Sequence, residues 1–224
     1  SVMLCDVFES FAPPADADSL AYHFFLPKTI LSKGALFPNY NAVEGAIPLL
    51  VQMSYLAALG TGGEKTLTLW TMFTGWSSSG LIFVICRRYL TLNWSLALGL
   101  IFMTTPAVIF GNGSGQLEVR TAAFVLVAAL AASEARRSDL LRFAALAGIA
   151  AGFFVASKYT GLIFAFACGL WLLFQRRWLI HSTVFSLAIC VAGFQWYTWN
   201  YLNTGDPVFP VFMDLIGDMG NVPW

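Results

Sequence analysis

The chain has 224 residues, of which 58% are hydrophobic and only 11% charged, with a mean hydropathy of +0.71. Soluble domains carry about a quarter charged residues. This composition therefore excludes an ordinary water-exposed globular domain and predicts an all-α, polytopic membrane bundle. Lys and Arg number 12, as do Asp and Glu, so there is no net charge to attract nucleic acid.

In chain order, residues 1–65 hold no full span. The chain starts at Ser1 with neither a methionine nor a signal peptide, which predicts a piece of a longer product. Asp16-Ala-Asp18-Ser-Leu-Ala-Tyr22-His23, with Pro27 and Lys28 behind it, gathers two carboxylates, a phenol and an imidazole. Two readings fit this stretch. Either Asp16 or Asp18 caps a following helix, or the segment carries proton-transfer chemistry. Tyr22 and His23 also suit a membrane surface, being apolar bodies with polar tips. Leu20 to Leu31, aromatic on one side and followed by Lys33, predicts a helix lying in the interface. Ala46 to Gly60 is apolar but falls short of the roughly 20 residues that cross a bilayer. It ends in Gly60-Thr-Gly-Gly and reads as half-inserted.

Six longer apolar segments follow, at about 66–86, 93–110, 119–133, 141–157, 160–175 and 181–201. The pairs Arg87/Arg88, Arg136/Arg137 and Arg176/Arg177 sit between them and mark cytoplasmic loops. That orientation puts residues 1–65, the Gly111 to Glu118 loop, Lys158-Tyr159 and the tail from Asn200 on the outer side. The expected organisation is an outer-face loop (1–65), a six-helix transmembrane bundle (66–201) and an outer-face tail (202–224), forming one membrane domain. Cys5, Cys86, Cys168 and Cys190 are scattered without metal-ligand spacing, so neither a zinc site nor a disulfide framework is expected.

An ionisable group at membrane depth costs about 2.5–3.5 kcal/mol and is read as functional by default. Asp16/Asp18, Glu118 with Arg120, Lys158 with Tyr159, and Asn200 to Asp206 are the groups near outer ends of spans. Structural readings stand beside each: Lys158 snorkelling to headgroups, Glu118 pairing with Arg120 at an interface. The tail also reads as punctuation, with Gly205 as a left-handed cap and Pro207 as a helix stop. Trp196, Tyr197, Trp199 and Tyr201 suit an interfacial belt.

Several segments then fall in one order: Asp18-Ser-Leu-Ala-Tyr-His-Phe-Phe-Leu-Pro-Lys28, Ile47-Pro-Leu-Leu-Val-Gln-Met-Ser-Tyr55, Arg87-Arg88, Thr104-Thr-Pro106, Ala156-Ser-Lys-Tyr-Thr160 and Asn200-Tyr-Leu-Asn-Thr-Gly-Asp-Pro-Val-Phe-Pro210. Together they resemble the N-terminal half of the GT-C glycosyltransferases, the prokaryotic integral-membrane group akin to dolichyl-phosphate-mannose mannosyltransferases. The resemblance implies sugar transfer from a polyprenyl-phosphate donor to a lipid or protein acceptor at the outer face of a bacterial inner membrane. It needs no cofactor beyond the lipid-phosphate sugar. It places Asp18 as general base and Glu118 as orienting or assisting carboxylate. Lys158 falls to the lipid phosphate, and Asp16, Tyr22, His23, Tyr159 and Asn200 to substrate contacts. Membrane lipids and other membrane subunits are the expected partners.

The chain departs from that pattern in three places. Ala17 and Trp199 stand where members often have Trp and Arg, and no span precedes the first outer loop. These departures support an alternative, a GT-C-derived subunit without catalysis, packed in a larger membrane complex. A transporter is a third reading, from the Gly-rich 111–115 loop, but no paired interruption recurs in two matching halves.

Overall fold

The computed structural model describes residues 2–38 and 48–216, and every regular element among them is helical. Ile47 of the Ile47–Tyr55 segment, the start of the half-inserted segment at Ala46 and the last eight residues of the tail, through Trp224, lie outside the described residues. The chain divides into two compact units, Ser1–Leu36 with Val51–Ala123, and Phe37–Leu50 with Phe124–Trp224.

In the first unit, α1 (Val2–Phe11) leads through Pro13-Pro14 into a π-helical turn (Ser19–His23) and α2 (Phe25–Lys33). The expected interfacial helix is therefore a π-turn joined to an α-helix, close to the predicted bounds. Next comes α3 (Leu50–Cys86), which is broken at Gly62 and Gly63. Gly63 has φ 74°, a left-handed conformation that only glycine adopts without cost. The Gly60-Thr-Gly-Gly signal thus ends the short apolar arm, as expected, and the helix that follows is the long one. Across this break, Lys28 pairs with Glu64 in an exposed ion pair.

The predicted span at 93–110 is not one straight helix. It is α4 (Leu92–Met103) and α5 (Pro106–Gly113), bent by 68° at Thr104-Thr105. Pro106 forces the break, because Thr105 before it is pushed out of the helical region to ψ 128°. The long α6 (Glu118–Ser138) then carries Glu118 in its first turn and Arg136 and Arg137 in its last.

The second unit is built from the part of α6 that follows Ala123, α7 (Leu141–Val155), α8 (Thr160–Leu173), α9 (Trp178–Gly193) and α10 (Gln195–Thr204), with the short α11 (Met213–Ile216) in the tail. The segment predicted at 181–201 starts earlier, at Trp178, and bends by 57° between α9 and α10. Its core is small: Ala128, Ala132, Ala135, Ala144, Ala147 and Ala151 are almost fully buried. Gly148 and Gly152 of α7 let α9 approach backbone to backbone. A Cβ on Gly148 would lie 2.4 Å from the Phe185 carbonyl oxygen, and one on Gly193 would lie 2.6 Å from that of Gly152. Small residues four apart are the packing device of helices in lipid, where close contact replaces the hydrophobic drive. The large apolar side chains point the other way: Ile163, Phe166, Leu187 and Val191 are exposed. An apolar exterior around a core of small residues fits a lipid surrounding.

Among the described residues, one helix, α3, is by length and composition able to cross a membrane, or up to three segments if each bent pair counts as one. The apolar α7 and α8 have 15 and 14 residues. At 1.5 Å per residue they rise about 22 Å, against a hydrocarbon core of about 30 Å.

Candidate functional site

In the first unit, three stretches far apart in sequence are tied together around Asp18. The π-turn begins with a cap, in which the Asp16 carboxylate accepts the Ser19 backbone N–H at 2.9 Å. This is the capping geometry that an Asp before a helix favours. Ser19, fully buried, accepts the Gly115 N–H on its hydroxyl at 2.6 Å. The Tyr55 hydroxyl, from α3, donates to the Gly115 carbonyl at 3.2 Å. Gly115 leaves no room for a side chain: a Cβ there would sit 2.8–2.9 Å from Ser19, His23 and Phe24.

Asp18 itself is exposed, and its Oδ2 accepts the Gln116 side-chain amide at 2.9 Å. Glu118, also exposed, lies only two positions beyond Gln116. The structure thus brings both proposed carboxylates to one end of the unit. Behind them His23 is buried, and its Nδ1 lies 3.1 Å from the Gln52 amide nitrogen. Tyr22 stacks at an angle on that ring, with centroids 4.0 Å apart.

Arg120, read from the sequence as a companion of Glu118, is a buried guanidinium, 5% exposed. It donates to the Thr74 hydroxyl at 2.8 Å and to the carbonyls of Gly111, Gln116 and Thr71. It also lies over the Tyr55 ring, 5.6 Å from its centroid. A rigid fork of donors suits this task, since one side chain fastens the α5–α6 loop to α3.

A cavity of about 250 Å³ opens beside the cap, lined by Glu9, Pro13, Pro14, Asp16, Phe110 and Ser114. Its volume is close to the lower end of small-molecule sites. Burial, together with the charge of Asp6, raises the Glu9 carboxyl above its ordinary range. Asp6 is buried and accepts the Trp76 indole N–H at 2.8 Å. Neither Asp6 nor Glu9 stands out in sequence; their spacing of three on α1 is the only sign that they share a face.

The other predicted residues belong to the second unit. Lys158 lies half-buried in the turn between α7 and α8. Next to it, the Tyr159 hydroxyl donates to the Phe209 carbonyl at 2.7 Å and accepts from the Asn200 amide at 2.9 Å. Burial first, then neighbouring Tyr197 and Asp206, raises the Tyr159 pKa, so the phenol stays a donor. Asp206, fully buried, accepts the backbone N–H groups of Val208 and Phe212 at 2.8 and 2.9 Å. Gly205 ends α10 with φ 76°, the left-handed cap expected of it. These contacts fold the tail onto the α7–α8 turn. The polar residues of that end therefore organise the chain locally, and Asp206, singled out in the sequence with the Asn200 to Asp206 stretch, is the anchor of the tail. No family model matches this chain, and no curated protein or solved structure is significantly similar to it.

Proposed function

We infer that the chain is a GT-C-like membrane glycosyltransferase that moves a sugar from a polyprenyl-phosphate donor to a lipid or protein hydroxyl. In this reading six segments cross a bacterial inner membrane, the Arg-Arg loops face the cytoplasm and Asp18 faces outward. The single observation that carries it is Asp18, an exposed carboxylate oriented by the Gln116 amide and two residues along the chain from Asp16, which lines the 250 Å³ cavity. Asp18 takes the acceptor hydroxyl's proton while that oxygen attacks the anomeric carbon. The sugar–phosphate bond breaks and its electron pair leaves on the lipid phosphate. One displacement inverts the sugar carbon and needs no covalent sugar–enzyme intermediate. Glu118 orients the acceptor. General-base assistance of this kind contributes about 10²–10⁴-fold. Proteoliposomes supplied with radiolabelled polyprenyl-phosphate mannose provide the test. Asp18→Asn is expected to lower transfer at least a hundredfold with an unchanged melting temperature, and undiminished turnover would refute the base.

The non-catalytic subunit is favoured by a different observation. Asp16, Tyr159 and Asn200, assigned to substrate, are held in hydrogen bonds within the chain. If that reading holds, mild-detergent extraction recovers the protein in fixed stoichiometry with other membrane subunits, and Asp18→Asn leaves that assembly intact.

A further inference from the structure

The second unit carries an apolar groove of about 380 Å³ between α8 and α9, lined among others by Leu162, Phe166, Leu173, Ser182, Phe185 and Phe194. Along α8 it runs from Leu162 to Leu173, eleven residues and so about 16 Å at 1.5 Å per residue. One leaflet of hydrocarbon is about 15 Å deep, half of the bilayer core. The groove thus has the length of one acyl chain in one leaflet.

Its two ends differ in charge. At the Leu173–Ser182 end lies the α8–α9 turn, which carries Arg176 and Arg177, both exposed. The α6–α7 turn meets it there: Arg177 lies 3.5 Å from Asp139, and Arg136 sits over the Trp171 ring at 4.5 Å. Arg136, Arg137, Arg142, Arg176 and Arg177 face only Glu134 and Asp139 as carboxylates in these two turns. Polar groups lacking a protein partner cluster at the same end. The Ser182 hydroxyl oxygen is buried with no hydrogen-bond partner, and so are both side-chain polar atoms of Gln175. An unpaired polar atom in an apolar setting costs free energy that a ligand oxygen recovers.

We propose that this groove is a binding site for one anionic phospholipid, its acyl chain between α8 and α9 and its phosphate on Arg176 and Arg177. Ser182 reaches the ester region, where a hydroxyl donates to a carbonyl oxygen. Arginine suits the headgroup because its fork matches phosphate geometry. The site is independent of sugar transfer and concerns the leaflet that holds the arginine turns.

Native mass spectrometry of the full chain in detergent, titrated with phosphatidylglycerol or phosphatidylcholine, tests the proposal. One phosphatidylglycerol is expected to bind at least tenfold more tightly than phosphatidylcholine. Arg176→Gln removes an exposed charge and should lower that affinity about tenfold. Gly169→Leu fills the groove from a position where a Cβ meets only Phe185, at 3.6 Å, and should abolish the one-lipid adduct. Melting temperature measured alongside establishes that both variants are folded. Equal retention of the two lipids overturns the proposal. So does undiminished phosphatidylglycerol binding in either folded variant.

Discussion

The hydroxyl of Ser19 accepts the backbone N–H of Gly115 at 2.6 Å, across 96 positions of sequence, in a fully buried setting. This bond holds the Asp16–His23 segment against the loop that carries Gln116 and Glu118. Ser19→Ala strands a buried amide, at a cost of about 1–3 kcal/mol. Gly115→Ala puts a methyl 2.8–2.9 Å from three side chains, and overpacking costs about 1–3 kcal/mol. Both variants are expected to melt several degrees lower in detergent. A melting temperature within one degree of wild type in both would show that the two stretches are not held this way.

Arg120 offers a sharper test of the same unit. Arg120→Lys keeps the charge but loses the fork that reaches Thr71, Thr74, Gly111 and Gln116 together. Hydrogen bonds to a charged group are worth about 1.5–3 kcal/mol each. The lysine variant should therefore lose on the order of 3 kcal/mol, read as a drop in denaturant midpoint. A surface arginine would tolerate the exchange.

The way Arg120 and Ser19 are used shows what was legible in the chain and what was not. Local chemistry reads well. The helix break at Gly62-Gly63, the cap by Asp16 and the left-handed Gly205 all follow from residues within a few positions of one another, whereas the reading of 93–110 as one span overlooked the bend that Pro106 imposes. Partners do not read. A helix apolar on nearly every side carries no stripe to say which face is inside, so the burial of Arg120 and the α7–α9 contact leave no periodic trace. The Ser19–Gly115 and Tyr159–Phe209 bonds join segments whose meeting depends on the whole fold. Asp18, Glu118 and the 16–23 segment were marked by polarity against an apolar background. Asp6 and Glu9, equally polar, were hidden among ordinary residues of an amphipathic opening helix.

Glu9 gives the protein a pH dependence of definite sign. Its folded pKa is raised above 4.5 by burial and by Asp6, so the folded state holds the proton more tightly than the unfolded state. The resulting stabilisation is fully present below about 4.5 and is lost as pH rises through the folded value. Glu9→Gln mimics the protonated form. It is expected to raise the melting temperature at pH 7 and to match wild type near pH 4; a constant difference between the two pH values contradicts this account.

Contact between α7 and α9 predicts a graded response to side-chain size. Gly152→Ala meets the Ala192 methyl at 2.8 Å, whereas Gly148→Leu drives a branched chain into the Phe185 carbonyl. The alanine variant should lose about 1–3 kcal/mol. The leucine variant should fail to accumulate, as measured by yield of detergent-soluble monomer. Equal yields would mean that the two helices separate without penalty.

That same contact sets a timetable for synthesis. Gly152 cannot meet Gly193 until that residue has been made, 41 residues later, which takes on the order of seconds at about 5–20 residues per second. During that interval α7, with its 15 residues, waits beside α8 with its small-residue face uncovered. The completed α9 then closes over it, so the second unit becomes a stable object only when its last long helix has been made. A chain interrupted before Gly193 would leave a pair of short helices for the cell's quality-control proteases.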